Sequence, residues 1–466
     1  MNSLKPALKY KFTIIFFLLI LYIVSDILGF YSSNHNQLLI AKTPKEYNVF
    51  DGVDYINTIR EDNGLGWFRA NKNLEISATN HANYLLKNKD KISVSMHDEE
   101  RNLDGFTGED VSQRAMFAGY SSSYVVENIS NNQINTRSSI DNLLSAIYHR
   151  FGFLNYSFNE IGFANVSFGD EKFYVYNMGN SYVNNICLKG GDFKNSGYYI
   201  DNVCKNNIYK IKQDSFKIAT MPKSPEYIKF PYKNPALAYF SGEIPDPIPS
   251  CKIMGNPISI EFNPNIENIK MQSFKIFRDN KEIDDTVIIT KQNDINHKFN
   301  KNQFALFSKK VFDFDKEYLA VFKYTQNNKD KEIRWSFKTL TPRFNYFSIK
   351  DGDILEIYPD RFYDIFIKPR DCNDIFTSYS YKKSTLLDAY VKDIGVNMIR
   401  ISLSGYKGDK ITISTNNGVK FKAMLAKDSK NATKIFGSRL NYLVLVVLVF
   451  ISFAFMIVDL KHQKNK

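Results

Sequence analysis

Cysteine and histidine are both scarce in this chain of 466 residues, which has four cysteines and six histidines. No Cys-x-x-Cys spacing occurs, and this excludes the common zinc-finger and redox motifs. A P-loop and the Gly-x-Ser-x-Gly turn of serine hydrolases are also missing. The formal net charge is +12, but six of the lysines lie at the two ends of the chain and the others are mixed with acids. We therefore predict no nucleic-acid partner, because such a partner requires the charge to be gathered on one motif.

The four cysteines allow a disulfide only if the compartment is oxidising. Cys187 and Cys204 are close in sequence and can bridge there. Four buried thiols are the alternative, and both remain open because spacing alone does not fix disulfide geometry.

Two apolar segments predict contact with a membrane. Residues 12–31 begin "FTIIFFLLILYIV" and predict an N-terminal transmembrane helix or signal anchor, with a cleaved signal peptide as the alternative. Residues 440–458, "LNYLVLVVLVFISFAFMIV", predict a C-terminal transmembrane helix. The basic tails 1–11 and 459–466 are then cytoplasmic, and residues 32–439 lie outside. These segments predict a protein of the cytoplasmic (inner) membrane with both termini in the cytoplasm.

The region 47–180 has helical periodicity followed by a hairpin pattern. "NKNLEISATNHANYLLKN" places four apolar residues on one helical face, and "SSIDNLLSAIYHRFGFL" predicts a further single helix. "IGFANVSFGDEKFYVYNMG" alternates on both sides of Gly169-Asp170, which is typical of a β-hairpin. Helices and an antiparallel hairpin in this order predict a layered α+β domain.

The rest of the chain is predicted to be mostly β. Residues 181–250 predict an extended linker, because Pro245, Pro247 and Pro249 cannot lie in a central strand. Residues 251–340 show the period-two rhythm of a β-sandwich, with a turn at Asp279-Asn280. Residues 344–425 repeat this rhythm and predict a second β module.

Five motifs in order resemble one family. "YINTIREDNGLGWFRANKNLEISATNHANYLLKN", "MHDEE", "FTGEDVSQRAMFAGY", "ENIS" and "YHRFGFLNYSFNEIGFANVSF" resemble the bacterial branch of the CAP superfamily. This is the SCP-like domain of cysteine-rich secretory, antigen-type and pathogenesis-related proteins. The resemblance implies an α-β-α sandwich at residues 47–180. The predicted fold class is therefore α+β, a CAP-type sandwich followed by one or two all-β, Ig-like modules, with a transmembrane helix at each end.

The resemblance also implies a cleft with a His-Glu-Glu-His set. His97, Glu127 and His149 match three of its positions, and Glu99 is preferred for the fourth over Glu100 and Asp104. Two neutral imidazoles are good ligands for zinc or another divalent metal, and a carboxylate can orient one of them. We predict His97 and His149 as metal ligands, with Glu127 and Glu99 as a supporting shell. The alternative is a hydrogen-bonded polar cluster that binds nothing.

Three functions agree with these residues. The first is an envelope protein whose CAP domain binds a wall component, a lipid or a partner protein, through a divalent metal where one is held. The second is a metal-assisted hydrolase of peptides or lipids, with Glu127 or Glu99 as general base. The third is a structural tether in which neither histidine takes part. The sequence leaves open whether the protein is an enzyme.

Overall fold

Helices lie on both sides of a four-stranded sheet in the first domain of the computed structural model. The model describes residues 49–430 except positions 94, 222, 223 and 343, together with 448, 449, 451 and 452. The helices are α1 (Val49–Asp62), α2 (Lys72–Asn88), α3 (Val111–Phe117), α4 (Thr136–Ser145) and α5 (Ile147–Phe153). The strands are β1 (Arg69–Ala70), β2 (Val125–Asn131), β3 (Glu160–Phe168) and β4 (Glu171–Gly179), in the order β1-β3-β4-β2.

Each face of this sheet has its own apolar core. Residues of α1 and α4, among them Ile56 and Leu143, pack with Phe163 and Tyr176 on one face. On the other face, apolar residues of α2 pack against Val175 and its neighbours. The result is an α-β-α sandwich in which the sheet is buried on both sides.

A glycine sets how closely α2 approaches the sheet. A methyl group added at Gly162 on β3 would overlap the backbone of Leu74 and Glu75 in α2. The layers are therefore in backbone contact at this point, and no larger residue fits without moving the helix.

Residues 181–250 differ from the predicted extended linker. They form α6 (Ser181–Leu188), β5 (Tyr199–Ile200), β6 (Ile211–Lys212), α7 (Gln213–Thr220), β7 (Tyr227–Phe230) and β8 (Tyr239–Phe240). The disulfide Cys187–Cys204 links the first part of this stretch covalently, so these two cysteines form a bridge and are not free thiols. β7 pairs with a strand of the following module, which therefore begins inside the predicted linker. The three prolines do lie outside strands, but the segment that carries them is packed against neighbouring elements.

The first β module is a sandwich of two four-stranded sheets. Its further strands are β9 (Met254–Gly255), β10 (Ile258–Phe262), β11 (Ile269–Arg278), β12 (Lys281–Glu282), β13 (Thr286–Thr290), β14 (Gln303–Ser308), β15 (Glu317–Gln326) and β16 (Lys329–Lys338). The sheets have the orders β13-β14-β10-β7 and β12-β11-β15-β16. Asp279 and Asn280 both have positive φ in the β11–β12 turn, as the favoured two-residue hairpin turn requires. The alternate apolar side chains of the two sheets form one core that includes Trp335.

A second sandwich follows. Its strands are β17 (Asn345–Ile349), β18 (Ile354–Ile357), β19 (Tyr363–Ile367), β20 (Tyr379–Lys383), β21 (Asp388–Gly395), β22 (Met398–Ser404), β23 (Lys410–Thr415) and β24 (Lys420–Leu425). They form the sheets β17-β19-β22-β21 and β18-β24-β23-β20 around a separate core. Phe366 and Met398 of this module are buried in the core of the first sandwich. A disulfide that the sequence did not indicate, Cys251–Cys372, joins the two modules covalently.

The predicted fold class needs one correction, which concerns its transmembrane helices. Within the described part of the chain, every helix is too short or too polar to cross a bilayer. The predicted segments 12–31 and 440–458 lie outside the described residues, except for four helical positions between 448 and 452. The prediction of a transmembrane helix at each end is therefore unsupported. The location derived from it, in the cytoplasmic membrane with residues 32–439 outside and both termini in the cytoplasm, is unsupported for the same reason.

Candidate functional site

Two histidines that are distant in sequence meet at the surface of the first domain. His97 lies in the loop after α2, and His149 lies in the first turn of α5. Their rings stack with centroids 5.9 Å apart and an interplanar angle of 28°. The His97 side chain is 37% exposed and the His149 side chain is 13% exposed. The two imidazoles thus form one partly exposed site, which is called the cleft below.

Glu127 on β2 contacts His97 from the buried side of the cleft. Its Oε1 lies 3.1 Å from Nδ1 of His97 and accepts a hydrogen bond from the Arg114 guanidinium at 2.8 Å. The amide of Asn177, oriented so that its oxygen and nitrogen are both satisfied, donates to Oε2 at 3.0 Å. Burial alone would raise the pKa of Glu127, but the charges of Arg114 and His81 and the hydrogen bond from His97 outweigh it and lower that pKa to about 2. Glu127 is therefore a permanent anion beneath the cleft.

Glu99 contacts a different histidine from the two that line the cleft. Its Oε1 lies 2.8 Å from Nδ1 of His81, and its Oε2 accepts from the backbone N–H of Thr107 at 2.6 Å. The second nitrogen of His81 lies 2.8 Å from the carbonyl oxygen of Met96. Both ring nitrogens of His81 thus lie against acceptor oxygens in the interior of the domain.

A buried charge cluster therefore underlies the cleft. It contains His81, Arg114, Glu99 and Glu127, and all four side chains are at most 1% exposed. The Arg114 guanidinium lies against both carboxylates, as burial of charged groups requires. In the sequence, His81 resembles a packing position, and the structure shows that it is the partner of Glu99. Glu99 thus supports the cleft from below and does not line it.

The acid beside His149 comes from outside the first domain. Oε2 of Glu243 lies 3.1 Å from Nδ1 of His149, and this side chain is 1% exposed. The same carboxylate accepts from the backbone N–H of Ile147 at 2.6 Å and of Tyr148 at 3.0 Å. Burial raises the pKa of Glu243 even though the hydrogen bond from His149 and the two backbone donors oppose the rise. Glu243 belongs to the stretch 181–250, and no pattern in the sequence identifies it.

A break in the predicted helix explains why Glu243 is needed there. Ala146 has an extended conformation (φ −80°, ψ 115°), which ends α4 and begins α5 as a separate helix. Alanine has no side chain that can cap the new helix, and its first N–H groups require acceptors. Glu243 supplies them, and a negative charge is also favourable at a helix N-terminus.

The next residues of α5 anchor it to the first β-sandwich. The Tyr148 hydroxyl donates to the carboxylate of Asp294. The buried Arg150 donates to Ser259 and to Asn256, both at 2.9 Å. His149 therefore sits on a short helix that is fixed by the sandwich at neighbouring positions.

The arrangement of donors sets what the cleft can hold. Each cleft histidine presents Nδ1 to a carboxylate, which selects the tautomer with hydrogen on Nδ1 and leaves the Nε2 lone pair available in the neutral ring. Metal-bound histidines show this same second contact. However, no group of three or more His, Cys, Asp or Glu residues suited to a metal occurs among the described residues. The two imidazoles with their carboxylate partners therefore do not form a closed structural zinc site, which takes four ligands.

Comparison with known proteins finds one family model and several solved structures that are similar to part of this chain. Residues 53–178 match the family model described as CAP, the Cysteine-rich secretory protein family. No curated protein matches the chain. Among solved structures, an extracellular SCP-domain protein from Bacillus anthracis is 20% identical with a TM-score of 0.24, over 28% of this chain and 38% of that one. An outer surface protein from Borrelia burgdorferi is 16% identical with a TM-score of 0.24, over 29% of this chain and 96% of that one.

Proposed function

Because residues 53–178 are a CAP domain, we propose that this chain is a binding protein whose recognition site is the cleft formed by His97 and His149. The two imidazoles hold a divalent metal such as zinc through their Nε2 atoms. The remaining coordination positions of the metal are open to a group on the bound ligand, lipid or protein partner.

One observation carries this proposal. Two stacked imidazoles are each oriented by a buried carboxylate at 3.1 Å, although the carboxylates come from separate parts of the chain. Among the described residues, no side chain or backbone group makes a hydrogen bond to Nε2 of His97 or to Nε2 of His149, so both atoms are open to a ligand.

The arrangement favours binding over metal-assisted hydrolysis. A general base must accept a proton from water near neutral pH. Glu127 has a pKa of about 2 and is already bonded to Arg114 and His97, so it is a poor proton acceptor. Glu99 is buried against His81 and two backbone N–H groups, away from the cleft opening.

The test is a zinc titration of the full chain by calorimetry, with the variants His97→Ala and His149→Ala. Loss of a partner in the second shell of a metal site costs about 10- to 100-fold in affinity, so loss of a ligand is expected to cost at least that much. Binding is also expected to weaken as the pH falls, because protons compete with zinc for the imidazoles. His297→Asn is the matched control. His297 is exposed on the β-sandwich at positive φ, which asparagine tolerates.

Two results would contradict the proposal. One is zinc affinity in the two alanine variants equal to that of the wild type, which would place any bound zinc elsewhere. The other is the absence of zinc binding by the folded wild-type chain. Peptide and lipid hydrolysis are measured on the same samples, and turnover that disappears in both variants would favour the hydrolase.

A further inference from the structure

We infer that Glu243 is a positioning residue that fixes the tautomer of His149, so that the CAP cleft is completed by a residue from outside the CAP domain. This inference rests on the proposed function, because the tautomer decides whether Nε2 of His149 can accept a ligand. The match to the family ends at residue 178, so Glu243 lies beyond it.

The hydrogen bonds of Glu243 determine which atom carries the proton. Three donors converge on its carboxylate: the backbone N–H groups of Ile147 and Tyr148, and Nδ1 of His149. When the carboxylate is ionised it only accepts, so Nδ1 donates and the neutral ring keeps its lone pair on Nε2. The same logic applies to His97 and Glu127. One histidine of the cleft is thus oriented from within the CAP domain and the other from the segment that follows it.

The backbone around Glu243 is held on both sides. Phe240 pairs with Met254 in the small sheet β8-β9 before it. After it, the carbonyl oxygen of Asp246 accepts a hydrogen bond at 2.7 Å from Asn296, which also donates to the Tyr148 hydroxyl. Ile248 is buried in the same cluster as Ile147 of α5. The carboxylate is therefore placed by the contact between the CAP domain and the first sandwich.

The wild-type chain provides the first test. With only six histidines, selective ring ¹⁵N labelling gives few signals, and His149→Ala identifies the one that matters. At roughly pH 8, above the ordinary pKa of histidine, the neutral tautomers have well-separated ¹⁵N shifts. The inference requires hydrogen on Nδ1 of His149 and an unprotonated Nε2. A wild-type spectrum with hydrogen on Nε2 would overturn it without any variant.

The variant Glu243→Gln tests the role of the second carboxylate oxygen. Oε2 of Glu243 faces both the N–H of Tyr148 and Nδ1 of His149, whereas Oε1 accepts from Ile147. An amide NH₂ in place of Oε2 donates to Nδ1 and forces hydrogen onto Nε2, and it also removes the acceptor of the Tyr148 N–H. We expect this tautomer switch and a loss of zinc affinity of about 10- to 100-fold. Glu243→Asp keeps an acceptor-only group and is expected to keep hydrogen on Nδ1. Glu282→Gln makes the same chemical change at an exposed glutamate that pairs with Lys275. We expect it to leave both the His149 tautomer and the zinc affinity unchanged.

The outcomes distinguish this inference from the proposed function. Hydrogen on Nδ1 of His149 in both Glu243→Gln and Glu243→Met, which has no carboxylate acceptor, would mean that Glu243 only caps the helix, and the inference would be wrong. Failure of the wild-type chain to bind zinc would remove the proposed function, whereas the tautomer measurements would still decide what Glu243 does.

Discussion

Glu261 makes the stability of the first β-sandwich dependent on pH in an unusual direction. It lies on β10, is buried, and accepts a hydrogen bond from Gln303 at 3.1 Å. Burial raises its pKa to about 8, despite opposing hydrogen bonds from Gln303 and Asn300. A carboxyl group with a raised pKa holds its proton in the folded state after the unfolded chain has lost it. Its contribution is therefore greatest below about pH 4.5 and is lost as the pH rises towards about 8.

The size of the effect follows from the shift. One pKa unit corresponds to about 1.4 kcal/mol, so the rise from 4.5 to about 8 corresponds to roughly 3–5 kcal/mol of stability lost across that window. Glu261→Gln keeps the shape and the hydrogen bond but cannot ionise. We expect it to match the wild type near pH 4.5, to be about 3 kcal/mol more stable near pH 7, and to gain slightly more by pH 9.

Urea denaturation followed by tryptophan fluorescence measures this difference. Trp335 is buried in the sandwich core, whereas Trp67 in the CAP domain is 59% exposed and is replaced by phenylalanine in all samples. Glu282→Gln is the control for an exposed glutamate. If the stability difference between wild type and Glu261→Gln is the same at every pH, Glu261 does not titrate in this window and the reasoning fails.

Three further predictions concern packing, covalent links and buried charge. Gly162→Ala is expected to lower the free energy of unfolding by at least about 3 kcal/mol, measured by heat or urea, because the added methyl group overlaps the α2 backbone. Gly66→Ala is the control: its methyl group meets no atom within 4 Å, so we expect almost no change. Replacing both cysteines of the Cys251–Cys372 disulfide with alanine is expected to lower stability by up to about 5 kcal/mol, since it closes a separation of 121 residues; an unchanged urea midpoint would contradict this. Arg114→Met leaves two buried carboxylates without their guanidinium and is expected to cost about 3–5 kcal/mol, so native-like melting of that variant would show that the cluster is not balanced by this arginine.

The local structure of the CAP domain follows from its sequence because its signals are short-range. Helical spacing predicted α2, and the Gly169-Asp170 turn predicted the β3–β4 hairpin, whose register pairs Phe168 with Glu171. The break between α4 and α5 has no such signal. Alanine favours a helix, and the apolar stripe runs on through Ile147, so the interruption at Ala146 depends on the capping acid that arrives from a distant segment.

The candidate site likewise contains some residues that the sequence identified and others that it did not. His97, Glu127 and His149 were identified through motifs that resemble a family, and the structure brings all three together. Glu243 was missed because it stands alone in a proline-containing stretch, and a single acid in such a stretch carries no periodic pattern. Glu99 was predicted as part of the shell that supports the two cleft histidines, and the structure places it against His81, because sequence order cannot show which imidazole a carboxylate faces.

The contact between the CAP domain and the first sandwich argues against a spacer role for that sandwich. Contacts between domains of one chain are commonly polar and permit relative motion. Here the contact buries an apolar cluster that contains Ile147 and Phe307. It also includes the buried Arg150, which donates to two sandwich residues, and the backbone carbonyl of Glu261, which accepts from a CAP tyrosine at 2.9 Å. Moving the domains apart would leave that arginine and the N–H groups of α5 without partners, at a cost of several kcal/mol. The position of His149 is therefore set by the sandwich as well as by the CAP domain, and loss of the sandwich is expected to change the cleft.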